Sequence, residues 1–234
     1  MQTYQFIKII SDDLYERISF FPEHFPREVV TTIQNIFWDN GVFLLPTDTV
    51  YGLCSYLSQP SIDKIFEIKQ RPKDVALPIL IHDVESAKMI VDLRVSRVKE
   101  RFERLANTFW PGPLTIVMDR VSDFKLDIGG AGDASIGVRI SASPIVDFVT
   151  RLVGPITATS ANLHGQATLT EAQEIDMAMH GWLRGKLAGA ILADQFYHGI
   201  ASTVVNIVHE RVKILRLGPI TKQQLSESLG EIII

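Results

Sequence analysis

The sequence has little that would staple or anchor it. It holds a single cysteine, Cys54, so an intrachain disulfide is excluded and the chain reads as a protein of a reducing compartment. Cys54 lies inside the run VYGLCSYL, where a packed thiol is commoner than a reactive one. Long apolar runs are also missing. GVFLLP and LAGAILA fall far short of the roughly 20 residues that a membrane helix requires. The opening MQTYQFIKIISDDLYER is charged throughout and lacks the apolar centre of a secretory signal. A cytoplasmic location with no membrane partner is the expectation. Neither sign of charge dominates: 23 basic and 27 acidic residues leave a net charge of −4, so no global field favours nucleic acid.

Several familiar sites are absent as well. No G-x-x-x-x-G-K-[ST] loop occurs, Gly130-x-Gly132 has no third glycine for a dinucleotide fingerprint, and there is no G-x-S-x-G elbow. The six histidines never fall at metal-ligand spacing.

What is present is an alternation of helix and strand patterns across 234 residues, with no internal repeat or linker. Val29, Val30, Ile33, Ile36 and Phe37 share one face of a helix over 27–40, which Gly41 stops. Strands are predicted at 42–46, 49–56, 77–82, 114–118 and 135–140, then at PITATS, GAILA, TVVNIV and VKILRL. Ser61 is predicted to cap a helix, Val98 to Phe109 repeat at helical spacing up to Trp110-Pro111, and Ser143-Pro144 open a helix that runs to about Leu152. Thr170-Glu171 and Thr221 start two more. The expectation is an α/β fold with a twisted mixed sheet and flanking helices, folded as one domain over 1–234. Phe20, Phe21 and Phe25 should pack onto it, since exposed aromatics are costly.

Polar clusters stand beside the predicted strand ends, where open α/β sheets bind ligands. PTDTVYG sets three small polar side chains after a buried strand, which suits either a tight turn or a row of hydroxyls at a ligand. Lys69-Gln70-Arg71-Pro72-Lys73-Asp74 can grip phosphate or carboxylate, or form a solvated helix C-terminus. Arg139 is a charge in mid-strand, on a wet face or pairing an anion. TATSANLHG offers donors at Ser160 and Asn162, or a plain polar turn. Ser202-Thr203 and Arg216 bracket late strands, positions that are more often structural.

In this order PTDTVYGL, KQRPKD, WPGPLTIV, SIGVRIS, TATSANLHGQAT, STVVN and ILRLG resemble the YrdC-like family, the L-threonylcarbamoyladenylate synthases, from about Phe43 to Gly218. The resemblance implies a twisted α/β sheet with a concave ligand face, in the single-domain form without an extra C-terminal domain. It implies synthesis of threonylcarbamoyl-AMP from L-threonine, bicarbonate and ATP with release of pyrophosphate, and Mg²⁺ on the phosphates. The product would pass to a tRNA threonylcarbamoyl transferase complex. By resemblance, Thr49, Arg139, Ala158 and Ser202 form the threonine pocket, with Tyr51 supporting its wall. Lys69, Arg71, Ser135, Ser160, Asn162, Thr168 and Arg216 surround ATP, with Lys69 and Arg71 at the reacting phosphates. The pattern departs at Val75, where relatives carry Asn or Lys, and at Leu80, near a His position; Asp48 replaces a commoner Glu. A paralogue without synthase activity and an RNA-binding module with weak tRNA affinity are the alternatives. Retention of Ser160-Ala161-Asn162 and Lys69-x-Arg71 opposes the first, and the net acidic charge opposes the second.

Overall fold

The computed structural model describes residues 4–11, 14–20, 24–130, 134–163, 165–166, 168–169, 172–193 and 199–234. A hairpin of β1 (Tyr4–Ser11) and β2 (Leu14–Phe20) comes first, then α1 (Arg27–Trp38), β3 (Val42–Pro46) and β4 (Tyr51–Tyr56). Next come α2 (Gln59–Lys69), β5 (Ile79–Ile81), α3 (Val84–Lys88), α4 (Ser96–Phe109), β6 (Leu114–Asp119) and β7 (Ser135–Ile140). The chain continues through α5 (Pro144–Val153), β8 (Ile156–Ser160), α6 (Ala172–His180), β9 (Gly189–Ala193), β10 (Thr203–Asn206), β11 (Lys213–Arg216) and α7 (Lys222–Leu229).

All these strands join one mixed sheet in the order β11-β10-β6-β7-β5-β8-β4-β3-β9-β1-β2. The pairs β10–β6, β5–β7 and β3–β9 are parallel and the remaining pairs antiparallel. Side chains alternate between its faces. Leu114, Ile116, Met118, Ile136, Val138 and Val205 point into a core shared with α2, α4, α6 and α7. On the other face a second core packs Phe43, Leu45, Cys54 and Ile156 against α1 and α5. These two helices contact β3, β4 and β5. Beyond them, Thr115, Val117, Ser135, Gly137, Arg139, Val204 and Leu215 of β6, β7, β10 and β11 line open space instead of a helix. Among the described residues, this four-strand part of one sheet face is therefore available to a ligand.

Helix and strand assignments agree with the sequence patterns over most of the chain, with local corrections. The N-cap of α2 is Ser58, whose Oγ accepts from Ser61 N at 3.3 Å; Ser61 is already inside the helix. The second strand begins at Tyr51, because Thr47 Oγ1 accepts from Thr49 N and Val50 N at 3.1 and 3.2 Å and closes a turn first. The strand expected over 77–82 shortens to Ile79–Ile81, and α3 was not anticipated. The expected helix start at Thr170-Glu171 lies outside the described residues. The N-terminal hairpin pairs with β9, a partner about 185 positions away that local patterns cannot reveal (Tyr4 with Ala193). Phe20 is buried and Phe25 stacks on Phe148 with centroids 3.6 Å apart, as expected for that segment; Phe21 lies outside the described residues.

Candidate active site

The open part of the sheet face holds two adjoining chambers. The inner one, about 110 Å³, is lined by Thr47, Thr49, Tyr51, Leu80, Thr115 and Ala158, among others, and by three guanidiniums: Arg71, Arg139 and Arg216. The outer one, about 400 Å³, shares Arg71, Pro78, Thr115 and Arg216 with it and adds Asp74, Ser135, Gly137 and the apolar walls Val75, Leu77, Val117, Val204 and Leu215. The outer volume is in the range of small-molecule sites, whereas the inner one suits a much smaller ligand.

Arg139 is buried at 5% exposure, so neither face of the sheet wets it as a surface charge. It donates through Nε to Gly112 O and through Nη1 to Thr49 Oγ1, both at 3.0 Å, and through Nη2 to Asp48 Oδ1 in an ion pair. The Trp110-Pro111-Gly112-Pro113 turn, with a cis Trp110–Pro111 bond, supplies the first acceptor. A Cβ on Gly112 would lie 2.4 Å from Phe109 O, so the close approach of that turn requires glycine. Donor counting leaves one N–H on each terminal nitrogen of Arg139 beyond these bonds.

Arg216 donates to Ser202 O at 2.9 Å and to Ser202 Oγ at 3.1 Å, and Ser202 Oγ also pairs with Thr115 Oγ1 at 2.8 Å. Thr203, next to it, has a structural task. Its Oγ1 donates to Ile220 O and accepts from Gly218 N and Ile220 N. Arg71 donates to Val75 O and Ala76 O at 3.0 and 3.1 Å, which folds the KQRPKD segment around its own guanidinium. Burial lowers the pKa of all three arginines. Arg216 lowers that of Arg71 further, Arg139 that of Arg216, and Asp48 opposes the shift at Arg139. The effect of Arg216 on Arg71 and of Arg139 on Arg216 means that these charges sit close enough to repel, with Asp74 opposing the shift at Arg71, so an anion placed among them is attracted by each.

Lys69 behaves differently. It is 1% exposed and lines neither chamber. Its Nζ donates to Ser160 O, to Asn162 O at 2.7 Å and to Asn162 Oδ1 at 3.0 Å. Ser160 Oγ also donates to Asn162 Oδ1, and Asn162 Nδ2 donates to Gln166 O at 2.6 Å. The Lys69 and Asn162 side chains thus build the turn after β8, and Ser160 is the member of this group that reaches the inner chamber. Burial, and then the Arg71 guanidinium, push the Lys69 ammonium down to about 7.

Gln70 separates Lys69 from Arg71. It ends α2 in the left-handed region, φ 49°, with Gln70 N donating to Glu67 O and Arg71 N to Phe66 O. This is a Schellman cap with glutamine at the position that favours glycine. It sends the two cations to opposite sides of the chamber wall.

Of the residues singled out from sequence, the inner chamber collects Thr49, Arg71, Arg139, Ala158, Ser160, Ser202 and Arg216, and the outer one adds Ser135. Lys69 and Asn162 stand behind the wall, and Thr168 lines neither chamber. Tyr51 lines the inner chamber with its hydroxyl accepting from Ala193 N at 3.0 Å. Sequence reasoning missed Thr115, Gly112 and Ser141, and it noted Asp48 only as the replacement of a commoner Glu, with no role in the site. Thr115 left a signal, as a polar side chain in the apolar strand LTIVM. Cys54 is fully buried, and burial pushes its thiol upward, so it packs and does not react.

Comparison with known proteins bears on this site. Residues 35–218 match the model of the Sua5/YciO/YrdC family, described as telomere recombination. The chain is 32% identical over 196 residues to a threonylcarbamoyl-AMP synthase of Bacillus subtilis, covering 83% of this chain and 54% of that protein. It is 32% identical over 189 residues to the enzyme of the same name from Pyrococcus abyssi, covering 80% and 53%. The chain thus spans about half the length of these two curated relatives. The crystal structure of P. abyssi Sua5 complexed with L-threonine superposes with a TM-score of 0.80 at 29% identity, covering 90% of this chain and 60% of that one. Escherichia coli YciO shares the fold, with a TM-score of 0.70 at 19% identity, over 86% of this chain and 95% of that one.

Proposed function

As the chain belongs to the Sua5/YciO/YrdC family, we propose that it joins L-threonine, bicarbonate and ATP into L-threonylcarbamoyladenylate and releases pyrophosphate, for threonylcarbamoyladenosine formation in tRNA. The observation that carries this reading is the convergence of Arg71, Arg139 and Arg216 on one small chamber that opens into a larger, partly apolar one. Every participant is an anion or carries a carboxylate. A chamber for a small carboxylate beside a chamber for a nucleotide suits that set.

The reaction needs no protein nucleophile. The neutral amine attacks bicarbonate and water leaves, giving an N-carboxylate. One oxygen of this carboxylate attacks the α-phosphorus of ATP, the bond from that phosphorus to the α,β-bridging oxygen breaks, and the β and γ phosphates depart as pyrophosphate with the electron pair. The enzyme's contribution is proximity and charge stabilisation. In this scheme Arg139 and Thr49 hold the threonine carboxylate, while Ala158 and Leu80 form the apolar wall and Ser202 a polar edge. Arg71 and Arg216, common to both chambers, take the phosphates, and Ser160 and Ser135 orient the nucleotide. Lys69 and Asn162 serve by shaping the Ser160 turn. Thr168 contributes through neither chamber wall.

Among the described residues no three metal-ligating side chains converge. In this reading Mg²⁺ would arrive with the nucleotide, held by phosphate oxygens and water. The downstream partner would be a tRNA threonylcarbamoyl transferase. The test follows isotopically labelled bicarbonate. Label should enter an AMP-containing product when both L-threonine and ATP are present, and an unlabelled product pool with both substrates present would refute the reading.

A further inference from the structure

Asp48 has no part in the scheme above. It is 2% exposed, lies in the turn between β3 and β4, and lines neither chamber. Its Oδ1 accepts from Arg139 Nη2 and from Ser141 Oγ. Its Oδ2 is buried and has no hydrogen-bond partner among the described residues. Burying a carboxylate costs the fold stability, and the ion pair with Arg139 is the return that the structure shows.

Ser141 Oγ accepts from Ser143 N at 3.2 Å, and Ser143 Oγ donates to Pro46 O at 2.7 Å. These bonds sew the end of β7 to the turn that carries Asp48. The Arg139 guanidinium is consequently held at all three nitrogens, by Gly112 O, Thr49 Oγ1 and Asp48 Oδ1. Among the described residues, Asp48 is the one carboxylate in an ion pair with a chamber arginine. It offsets the charge of Arg139, so the positive charge free of an ion pair lies at Arg71, which Asp74 offsets in part from a distance, and at Arg216, on the side shared with the outer chamber.

We infer that Asp48 is a positioning residue, which fixes the Arg139 guanidinium from behind the chamber wall so that its two remaining N–H groups are presented to the carboxylate of the amino acid. The inference rests on the amino-acid reading of the inner chamber. It separates two modes of anion binding in one site. The small carboxylate is recognised by geometry at a neutralised arginine, and the polyanion by net charge at Arg71 and Arg216. Asp48 should then govern the first ligand and spare the second.

The test uses the full chain with Asp48→Asn and, because that change leaves Arg139 buried without its counter-charge, also the milder Ser141→Ala, which keeps both charges and removes only the Ser141 hydroxyl that holds Asp48 and accepts from Ser143 N. Calorimetric titration measures L-threonine and ATP separately, and NMR measures hydrogen exchange of the Arg139 Nε–H. Loss of the charge-assisted bond should weaken threonine about tenfold or more in Asp48→Asn, with ATP affinity held within about twofold. Ser141→Ala should weaken threonine less, and the Nε–H should exchange faster in the same order. Unchanged threonine affinity, equal weakening of both ligands, or an Nε–H as protected as in the unaltered protein would overturn the inference. If Asp48→Asn does not fold, Ser141→Ala decides by the same criteria. An unaltered protein that binds no L-threonine would instead strike the amino-acid reading, and the exchange measurement would still decide whether Asp48 fixes Arg139.

Discussion

Lys69 and Arg71 stand two positions apart, at the end of the same helix, and meet opposite fates. Lys69 turns inward, and its ammonium is bound by three oxygens of the Ser160–Asn162 turn. Arg71 turns outward, bonds two carbonyls of its own loop and lines both chambers. One cation is consumed by the protein, and the other remains available to a ligand. A Lys-x-Arg motif therefore carries two different duties, and the left-handed Gln70 between them divides the two. The same division recurs across the site. Asn162 belongs with Lys69, whereas Arg139 and Arg216 belong with Arg71.

The sharpest way to break this comparison is to remove one cation at a time. Arg71→Ala and Arg216→Ala should each reduce threonine-dependent pyrophosphate release by roughly 100-fold or more, since each removes charge stabilisation at the phosphates, with melting temperature little changed. Activity within a few-fold of normal in either would remove that residue from the phosphate site. Lys69→Met should also cost activity, but through the fold. It leaves Asn162 O without its donor and takes one of two donors from Ser160 O and Asn162 Oδ1, and should cost roughly 1–3 kcal/mol in chemical denaturation. A Lys69→Met protein of undiminished stability would place Lys69 with the ligand-facing group.

Titration sharpens the same contrast. The Lys69 pKa falls from 10.5 to about 7 on folding. Between these values the unfolded chain binds the proton and the folded one does not, so this group makes stability rise with pH across the window. Below about pH 7 both states are protonated and the burial penalty is present in full. Denaturation from pH 6 to 10 should therefore show a rising component in the unaltered protein that Lys69→Met lacks. Identical slopes would contradict the assignment. The smallest effect is expected at the divider itself. Gln70→Gly relieves a left-handed side chain and should stabilise the protein by up to about 1 kcal/mol while leaving activity intact. A loss of stability there would show that the glutamine side chain contributes something beyond the cap.

Most helices and strands were legible because their apolar spacing coincides with their buried faces, as in Val98 to Phe109 of α4 and SIGVRI of β7. The hairpin β1–β2 was not legible, since it is stabilised by pairing with a strand at the far end of the chain. Within the site, the hydroxyl row after Pro46 forms a tight turn, and Thr47 and Thr49 of that row line the inner chamber. Thr47 closes the turn, and Thr49 accepts from the buried arginine. The direction of Lys69 was not readable, because a helix C-terminus does not disclose which way its last side chain leaves. Asp48 was inconspicuous for a similar reason: a carboxylate in a turn is ordinary until β7 brings Arg139 against it.

The central claim is that the two chambers hold an amino acid and a nucleotide that react with bicarbonate. Pyrophosphate release from ATP by the purified chain, with and without L-threonine and bicarbonate, tests it most directly. The account predicts release that requires both. Release that is indifferent to threonine, or ATP binding with no release when all three substrates are present, would contradict it.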